Sequence, residues 1–325
     1  MSTPAVELNL YDLPSLAPPE DPIALIFPGQ GSQKIGMGRD VFDNFESSRV
    51  VFAIATKATG IDVAGMCFDG PADALTATAN AQPAILTASL AYLAAGLETG
   101  ALPGRPTYLA GHSLGEYAAL VAAGSLSAGD AIALVRERGR IMAEAAADQA
   151  GAMTAILGLN EQMVDRICTE SGAEPANYNG PTQTVIGGTP AAVEKASQLA
   201  RERGGKALSV NVSGAFHTSL MTAAAESFNV VLAEVQILEP KIPVISNVTA
   251  EPLRSAAEVR VDLATQIARP VQWNNSVRYI VERGVAIFIE IGPGRVLSTI
   301  LKRLDLDLTC VSIDSAETLI NRANV

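Results

Sequence analysis

Apolar positions along this chain follow two rhythms. Some come as short unbroken runs stopped by Gly, Pro or Asn, and others recur every three or four residues. The first unbroken run is Ile23-Ala24-Leu25-Ile26-Phe27. Five apolar residues without polar alternation suit a strand buried on both faces. It ends in Pro28-Gly29-Gln30-Gly31-Ser32-Gln33, a tight loop with exposed backbone N–H groups. Residues 41–100 read as helices with small breaks. Ala81-Gln82-Pro83-Ala84-Ile85-Leu86 opens a long amphipathic helix with its proline near the start, where proline is tolerated. An extended run, Pro106 to Ala110, leads into a helix-patterned run, Glu116 to Ala123, and residues 129–146 are helical again.

The rhythm changes between residues 150 and 213. Met153–Leu157 reads as a strand, Glu161–Glu170 as a helix, and Ala176–Tyr178 with Gln183–Ile186 as a hairpin. Pro190–Arg203 reads as a helix and Ala207–Val212 as a last strand, so the order is βαββαβ, the ferredoxin-like unit. The parent fold resumes near Ser213, with a helix at 219–236, a strand at Val244–Ser246 and a helix from Trp273 to Arg283. Strand Ile287–Glu290, the Gly292-Pro293-Gly294 turn and a helix from Val296 to Arg303 close the main body. The pattern predicts an α/β protein with a mostly parallel sheet. Its core spans 22–149 and 214–325, its inserted ferredoxin-like subdomain spans 150–213, and residues 1–21 form a loosely ordered lead-in.

Composition narrows the class. The 325 residues are 48% apolar and 5% aromatic, a globular balance with ample material for a core. A net charge of −11 argues against a nucleic-acid or anionic-membrane binder. Cys67, Cys168 and Cys310 are far apart, odd in number and without metal spacing, and read as buried thiols in a reducing compartment. With no signal-peptide or membrane-span pattern, the expected location is the cytoplasm. No metal or cofactor is expected, and the expected state is a monomer.

Candidate chemistry centres on Gly111-His112-Ser113-Leu114-Gly115. Strand, G-x-S-x-G, then helix is the setting of a nucleophile elbow, and the turn has no room for side chains at Gly111 and Gly115. An ordinary Gly/Ser turn is the alternative. A serine hydroxyl needs an adjacent base, and the chain has two histidines. His112 precedes Ser113, so alternation points it away from the hydroxyl. His217 is the base by elimination, with a backbone carbonyl able to hold its tautomer.

These residues belong to a longer series: Phe27 to Gln33, Ala81-Gln82-Pro83-Ala84, Gly111 to Tyr117, Arg138-Gly139, Asn177-Tyr178-Asn179, Ala215-Phe216-His217, Arg269 to Trp273 and Gly292-Pro293-Gly294. In that order the chain resembles the malonyl-CoA:acyl carrier protein transacylases and the acyltransferase domains of fatty-acid and polyketide synthases. The resemblance implies an α/β-hydrolase-like core. It implies Ser113 as nucleophile, His217 as general base, and the N–H groups of Gln30 and Leu114 as oxyanion hole. Arg138 would pair with the malonyl carboxylate, and a backbone carbonyl in the Gln266 loop would hold the histidine. Asn179 and Gln82 would line the cleft, and Phe216 would favour malonyl over methylmalonyl. From the residues alone, a short stretch with three arginines favours a solvated helix-face charge for Arg138, like Arg136 and Arg140.

The implied partners are malonyl-CoA and acyl carrier protein, with fatty-acid biosynthesis as the destination. A trans-acting polyketide acyltransferase shares every motif, a serine (thio)esterase shares the elbow, and a non-catalytic docking module would lack Ser113 or His217. An acidic carrier protein needs local positive charge, for which Lys302, Arg303 and Arg269 are candidates alongside plain surface solvation.

Overall fold

The computed structural model describes residues 22–323; the lead-in assigned to residues 1–21 lies outside them. The chain opens with β1 (Ile23–Phe27), then α1 (Arg39–Asn44), α2 (Glu46–Thr59), α3 (Val63–Asp69), α4 (Ala72–Thr76) and α5 (Thr78–Thr99). The elbow follows, as β2 (Tyr108–Gly111) and α6 (Gly115–Ala122), and then α7 (Ala128–Asp148). A second unit holds β3 (Ala152–Leu157), α8 (Glu161–Ser171), β4 (Glu174–Gly180), β5 (Gln183–Gly188), α9 (Pro190–Glu202) and β6 (Lys206–Ser209). The first unit resumes with α10 (Thr222–Ala233), β7 (Val244–Ile245), β8 (Pro252–Leu253), α11 (Ala256–Gln266) and α12 (Trp273–Val281). It ends with β9 (Ile287–Ile291), α13 (Val296–Leu301), β10 (Thr309–Ile313) and α14 (Ala316–Ala323).

The main sheet runs β10-β9-β1-β2-β7-β8, parallel except for the last strand. β1 lies at its centre and is buried along its whole length. Strand alternation divides its side chains between two cores. Ile23, Leu25 and Phe27 face one cluster with α5, α6 and α7, while Ala24 and Ile26 face another with Trp273, Val277 and Leu297. Each large side chain so buried contributes about 1.5–3 kcal/mol, which favours this register over a one-residue slip. Because β1 and β2 are parallel neighbours, the Gln30 loop and the Ser113 elbow leave the same edge of the sheet.

The second sheet is antiparallel, in the order β4-β5-β3-β6, with an apolar core between it and the α8–α9 layer. β4 is stitched to the first unit, for Val271 N–H donates to Ala176 and Tyr178 N–H to Val271, both at 2.9 Å. A cleft of about 720 Å³ opens between the two sheets.

Several elements depart from the pattern reading. Helix α5 begins at Thr78, so Pro83 sits inside it, and its residues from Ala81 to Gly96 are buried all round rather than amphipathic. It packs against α2 and α7, with α3, α4, α6 and α14 covering the rest of its surface. Strand β6 stops at Ser209, and Val210 and Val212 turn into the cleft wall. Helix α11, β10 and α14 have no counterpart in the pattern reading. Cys310 is half-buried, unlike Cys67 and Cys168, and burial pushes all three free thiols up, to about 11, 12 and 12 respectively. Among the described residues no single helix is long and apolar enough to cross a membrane.

Candidate active site

The elbow is built by close approach. A Cβ on Gly111 would strike the Gly115 carbonyl, and one on Gly115 would strike the Phe27 carbonyl at the end of β1. Between them Ser113 is held at φ 50°, a left-handed conformation that costs a residue with a Cβ on the order of 1–2 kcal/mol. Side chains from elsewhere hold it there. Asn247 Oδ1 accepts from the Ser113 N–H at 2.6 Å, and Asn247 Nδ2 donates to the Gly111 carbonyl at 2.7 Å.

His217 also has positive φ, 63°, and its N–H donates to the Ile267 carbonyl at 2.9 Å. Its Nδ1 lies 2.8 Å from the Gln266 carbonyl. A carbonyl only accepts, so the proton sits on Nδ1 and the Nε2 lone pair faces outward. That Nε2 is 2.7 Å from Ser113 Oγ. Burial, then the charge of Arg138, lowers the His217 pKa to about 3. His112 is also lowered, chiefly by burial. With two histidines in the chain, an NMR titration reads both imidazoles without ambiguity. At pH 5 His217 should be neutral with its proton on Nδ1; protonation with a midpoint near the ordinary value of about 6.5 would contradict this environment.

Arg138 resolves the choice left open by three arginines in five residues. Successive α-helical residues are about 100° apart, so Arg136 and Arg140 share a face and Arg138 points the other way. Arg140 pairs with Glu137 and Glu144, and Arg136 donates to the Ala79 carbonyl and Asn80. Arg138 is 1% exposed. Its Nη1 donates to Gln82 Oε1 at 2.7 Å, and its Nη2 to Gln266 Oε1 at 3.0 Å and to Ser113 Oγ at 3.1 Å. Its Nε has no acceptor, and among the described residues no carboxylate pairs with it directly. A buried cation without a directly paired anion is costly, and its place beside a serine hydroxyl invites an anionic ligand.

The other candidates fall as follows. Gln30, Leu114, Phe216 and Asn179 line the cleft with Ser113 and His217. Among the described residues the backbone N–H groups of Gln30 and Leu114 have no acceptor, as a pair of donors awaiting an oxyanion would. Asn179 Oδ1 lies 2.8 Å from His112 Nε2. His112 is therefore in the cleft wall, although it makes no bond to the Ser113 hydroxyl. Gln82 corrects the expectation of a cleft-lining amide: it is fully buried behind Arg138 and supports the guanidinium. Gln266 supplies its side chain to Arg138 as well as its carbonyl to His217. Of the three docking candidates, Arg303 reaches the cleft, together with Arg295; Lys302 and Arg269 do not line it.

Sequence reasoning missed Asn247, Glu116 and Asp262. Asn247 had no local signal: it follows β7, whose place beside β2 at the edge where the elbow emerges exists only in the fold. Glu116 lies inside the quoted elbow motif. Helix α11, which carries Asp262 and ends at Gln266, is announced by a capping box at Ser255 and Glu258.

Fold and cleft together define an α/β acyltransferase. The chain belongs to the acyl transferase domain family, whose model matches residues 24–307. It is 43% identical over 303 residues to the malonyl CoA-acyl carrier protein transacylase of Bacillus subtilis, covering 91% of this chain and 95% of that one. Identity to the enzyme of the same name from Salmonella typhimurium is 40% over 301 residues, covering 91% and 97%. The solved malonyl CoA-acyl carrier protein transacylase of Coxiella burnetii superposes with a TM-score of 0.90 at 37% identity, covering 94% of this chain and 97% of that one. A type II PKS acyl-carrier protein in complex with its malonyl-transacylase gives a TM-score of 0.89 at 39% identity, covering 93% and 99%.

Proposed function

We propose that the chain moves a malonyl group from malonyl-CoA to the phosphopantetheine thiol of an acyl carrier protein, through a malonyl ester on Ser113. The observation that carries this reading is one atom's surroundings: Ser113 Oγ lies 2.7 Å from His217 Nε2 and 3.1 Å from Arg138 Nη2. A base and a carboxylate-binding cation meet at the same hydroxyl. A malonyl group has its carboxylate two carbon–carbon bonds from its acyl carbon, so acylation at Oγ brings the anion back to the guanidinium. Arginine suits that task because its parallel donors match a carboxylate.

In the first half-reaction Oγ attacks the thioester carbon while its proton passes to His217 Nε2. The tetrahedral oxyanion takes the N–H groups of Gln30 and Leu114, each worth on the order of 10²–10³ in rate. The carbon–sulfur bond breaks, and the imidazolium returns its proton to sulfur, releasing CoA as its thiol. In the second half-reaction the carrier's thiol gives its proton to Nε2 and attacks the ester; Oγ leaves with that proton. The Gln266 carbonyl keeps the imidazole in the tautomer both steps need. No cofactor enters the scheme.

The relatives named malonyl CoA-acyl carrier protein transacylase support an acyl carrier protein as acceptor, and the likeness to the solved FabD enzyme of Coxiella burnetii favours a fatty-acid carrier. The neighbour bound to a type II PKS acyl-carrier protein favours a polyketide carrier as the second reading. The strand–elbow–helix around Ser113 in a mostly parallel sheet supports an α/β-hydrolase-like core for 22–149 and 214–325, and the order β4-β5-β3-β6 supports a ferredoxin-like unit for 150–213. Intact-mass and peptide spectrometry after mixing with malonyl-CoA should show one malonyl adduct, on Ser113. Free malonate released without an adduct or carrier product would instead mark a thioesterase.

A further inference from the structure

Beneath the elbow lie two carboxyl groups that the proposed reaction does not use. Glu116, on the first turn of α6, is 0% exposed, and Asp262, one turn before Gln266 on α11, is 5% exposed. Glu116 Oε2 accepts from Gln266 Nε2 at 2.6 Å and from the Asn247 N–H at 3.3 Å. Asp262 Oδ1 accepts from the Ser246 hydroxyl. The remaining oxygens, Glu116 Oε1 and Asp262 Oδ2, are buried without a donor among the described residues. The two carboxyls converge on the same short segments, for Glu116 takes the N–H of Asn247, next to the Ser246 that serves Asp262, and the amide of Gln266, one turn beyond Asp262. Two such oxygens repel if both groups ionise; one proton between them makes one a donor and the other an acceptor.

The Gln266 amide joins this pair to Arg138. Guanidinium only donates, so Gln266 Oε1 must face it, which turns Nε2 toward acceptors. The Ser113 carbonyl, at 3.2 Å, is one and Glu116 Oε2 is the other. The same residue's main-chain carbonyl holds His217. Arg138, which has no direct ion pair, therefore faces the carboxyl pair through a single amide.

We propose that Glu116 and Asp262 share one proton, that their single charge is the buried counter-charge of Arg138, and that Glu116 is a positioning residue acting through Gln266. The functional part rests on the reading of Arg138 and His217 given above. The charged and titratable groups around the pair are Arg138 on α7, Tyr117 on α6 and, beyond Gln266, His217 with His112. Burial, then the Asp262 charge, pushes Glu116 well above the usual carboxylate range, and burial raises Asp262. The sign follows: above the unfolded values near 4, the folded pair keeps a proton that the unfolded chain releases, so stability falls as pH rises. The lowered pKa of His217 acts in the opposite direction, and comparison with a variant of Glu116 cancels it.

Denaturant unfolding without substrate, between about pH 5.5 and 8, tests the shared proton. The unfolding constant of the unaltered chain should climb about tenfold more per pH unit than that of Glu116→Gln, whose amide supplies the bridging donor permanently. Asp262→Asn should flatten the dependence in the same way. Parallel profiles in all three overturn the shared proton, whatever the fate of the malonyl reading. For positioning, Glu116→Ala removes the acceptor of Gln266 Nε2 while Glu116→Gln keeps an oxygen there. Malonyl transfer should drop at least about tenfold further in Glu116→Ala than in Glu116→Gln; equal losses would overturn the positioning role. Should Glu116→Ala fail to fold, Glu116→Leu, which fills the space without an acceptor, takes its place.

Discussion

Ser113→Ala is expected to abolish the malonyl adduct and lower transfer by on the order of 10⁴-fold or more, because it removes the atom on which the group waits. Stopped-flow or coupled assays of CoA release measure the loss, and mass spectrometry the missing adduct. A residual rate within tenfold of the unaltered chain would sink the covalent route. Stability should move little or not at all in the direction of loss. Ser113 lies at φ 50° with its hydroxyl shared between His217 and Arg138, and no core packing depends on that hydroxyl. Ser113→Gly should go further and raise the melting temperature, since glycine adopts this conformation freely. An inactive variant that melts later than its parent would show strain held for function rather than for folding.

The same contrast explains what the sequence made legible. Ser113 is announced by the glycines its turn requires, and those glycines are local facts. His217 follows from counting two histidines, and β1 from five apolar residues with no polar break. The mistakes have a common physical origin, in that periodicity reports how much of an element is covered but not by what. Helix α5 reads as amphipathic because Gln82, Thr87 and Ser89 interrupt its apolar positions. In the fold they are all buried, with Gln82 under Arg138 and the Thr87 hydroxyl bonded to the Pro83 carbonyl. Strand β10 is one of the two edge strands of the main sheet, and its mixed Thr309-Cys310-Val311-Ser312-Ile313 pattern reflects partial exposure that a central strand does not have.

Polar pairs at long separation escaped for a different reason. Asn247 meets Ser113 across 134 positions, and Gln266 meets Glu116 across 150. Nothing near either residue in the chain encodes its partner, since the pairing exists only once β2 and β7 lie side by side and α11 packs below the elbow. The family resemblance supplied the Gln266 carbonyl for His217, but not the side chain of the same residue that reaches Arg138. A site assembled from one local motif and several distant supports is thus half readable: the reacting atom declares itself, and its scaffolding does not.

Arg138→Ala separates the malonyl reading from every acyl group without an anion. Pairing a buried carboxylate with this guanidinium offsets a desolvation cost of several kcal/mol per ion, and removing one partner of such a pair costs about 3–5 kcal/mol. At about 1.4 kcal/mol per decade, malonyl transfer should fall by on the order of 10²–10⁴-fold. Acetyl transfer has no carboxylate to lose. It loses a donor to Ser113 Oγ, yet it gains a more basic His217, because the charge of Arg138 is the second-largest cause of that residue's lowered pKa. These two effects oppose each other, so acetyl transfer should stay within about tenfold. The readout is kcat/KM for malonyl-CoA and acetyl-CoA with the same carrier protein. Parallel losses would mean that Arg138 serves the hydroxyl alone. A rise of the His217 pKa toward the ordinary histidine value in Arg138→Ala, followed by NMR, would show the guanidinium's field on the base independently of turnover. Arg138→Lys should recover only part of the malonyl rate, since one ammonium keeps the charge but cannot present parallel donors to a carboxylate while still holding Gln82 and Gln266.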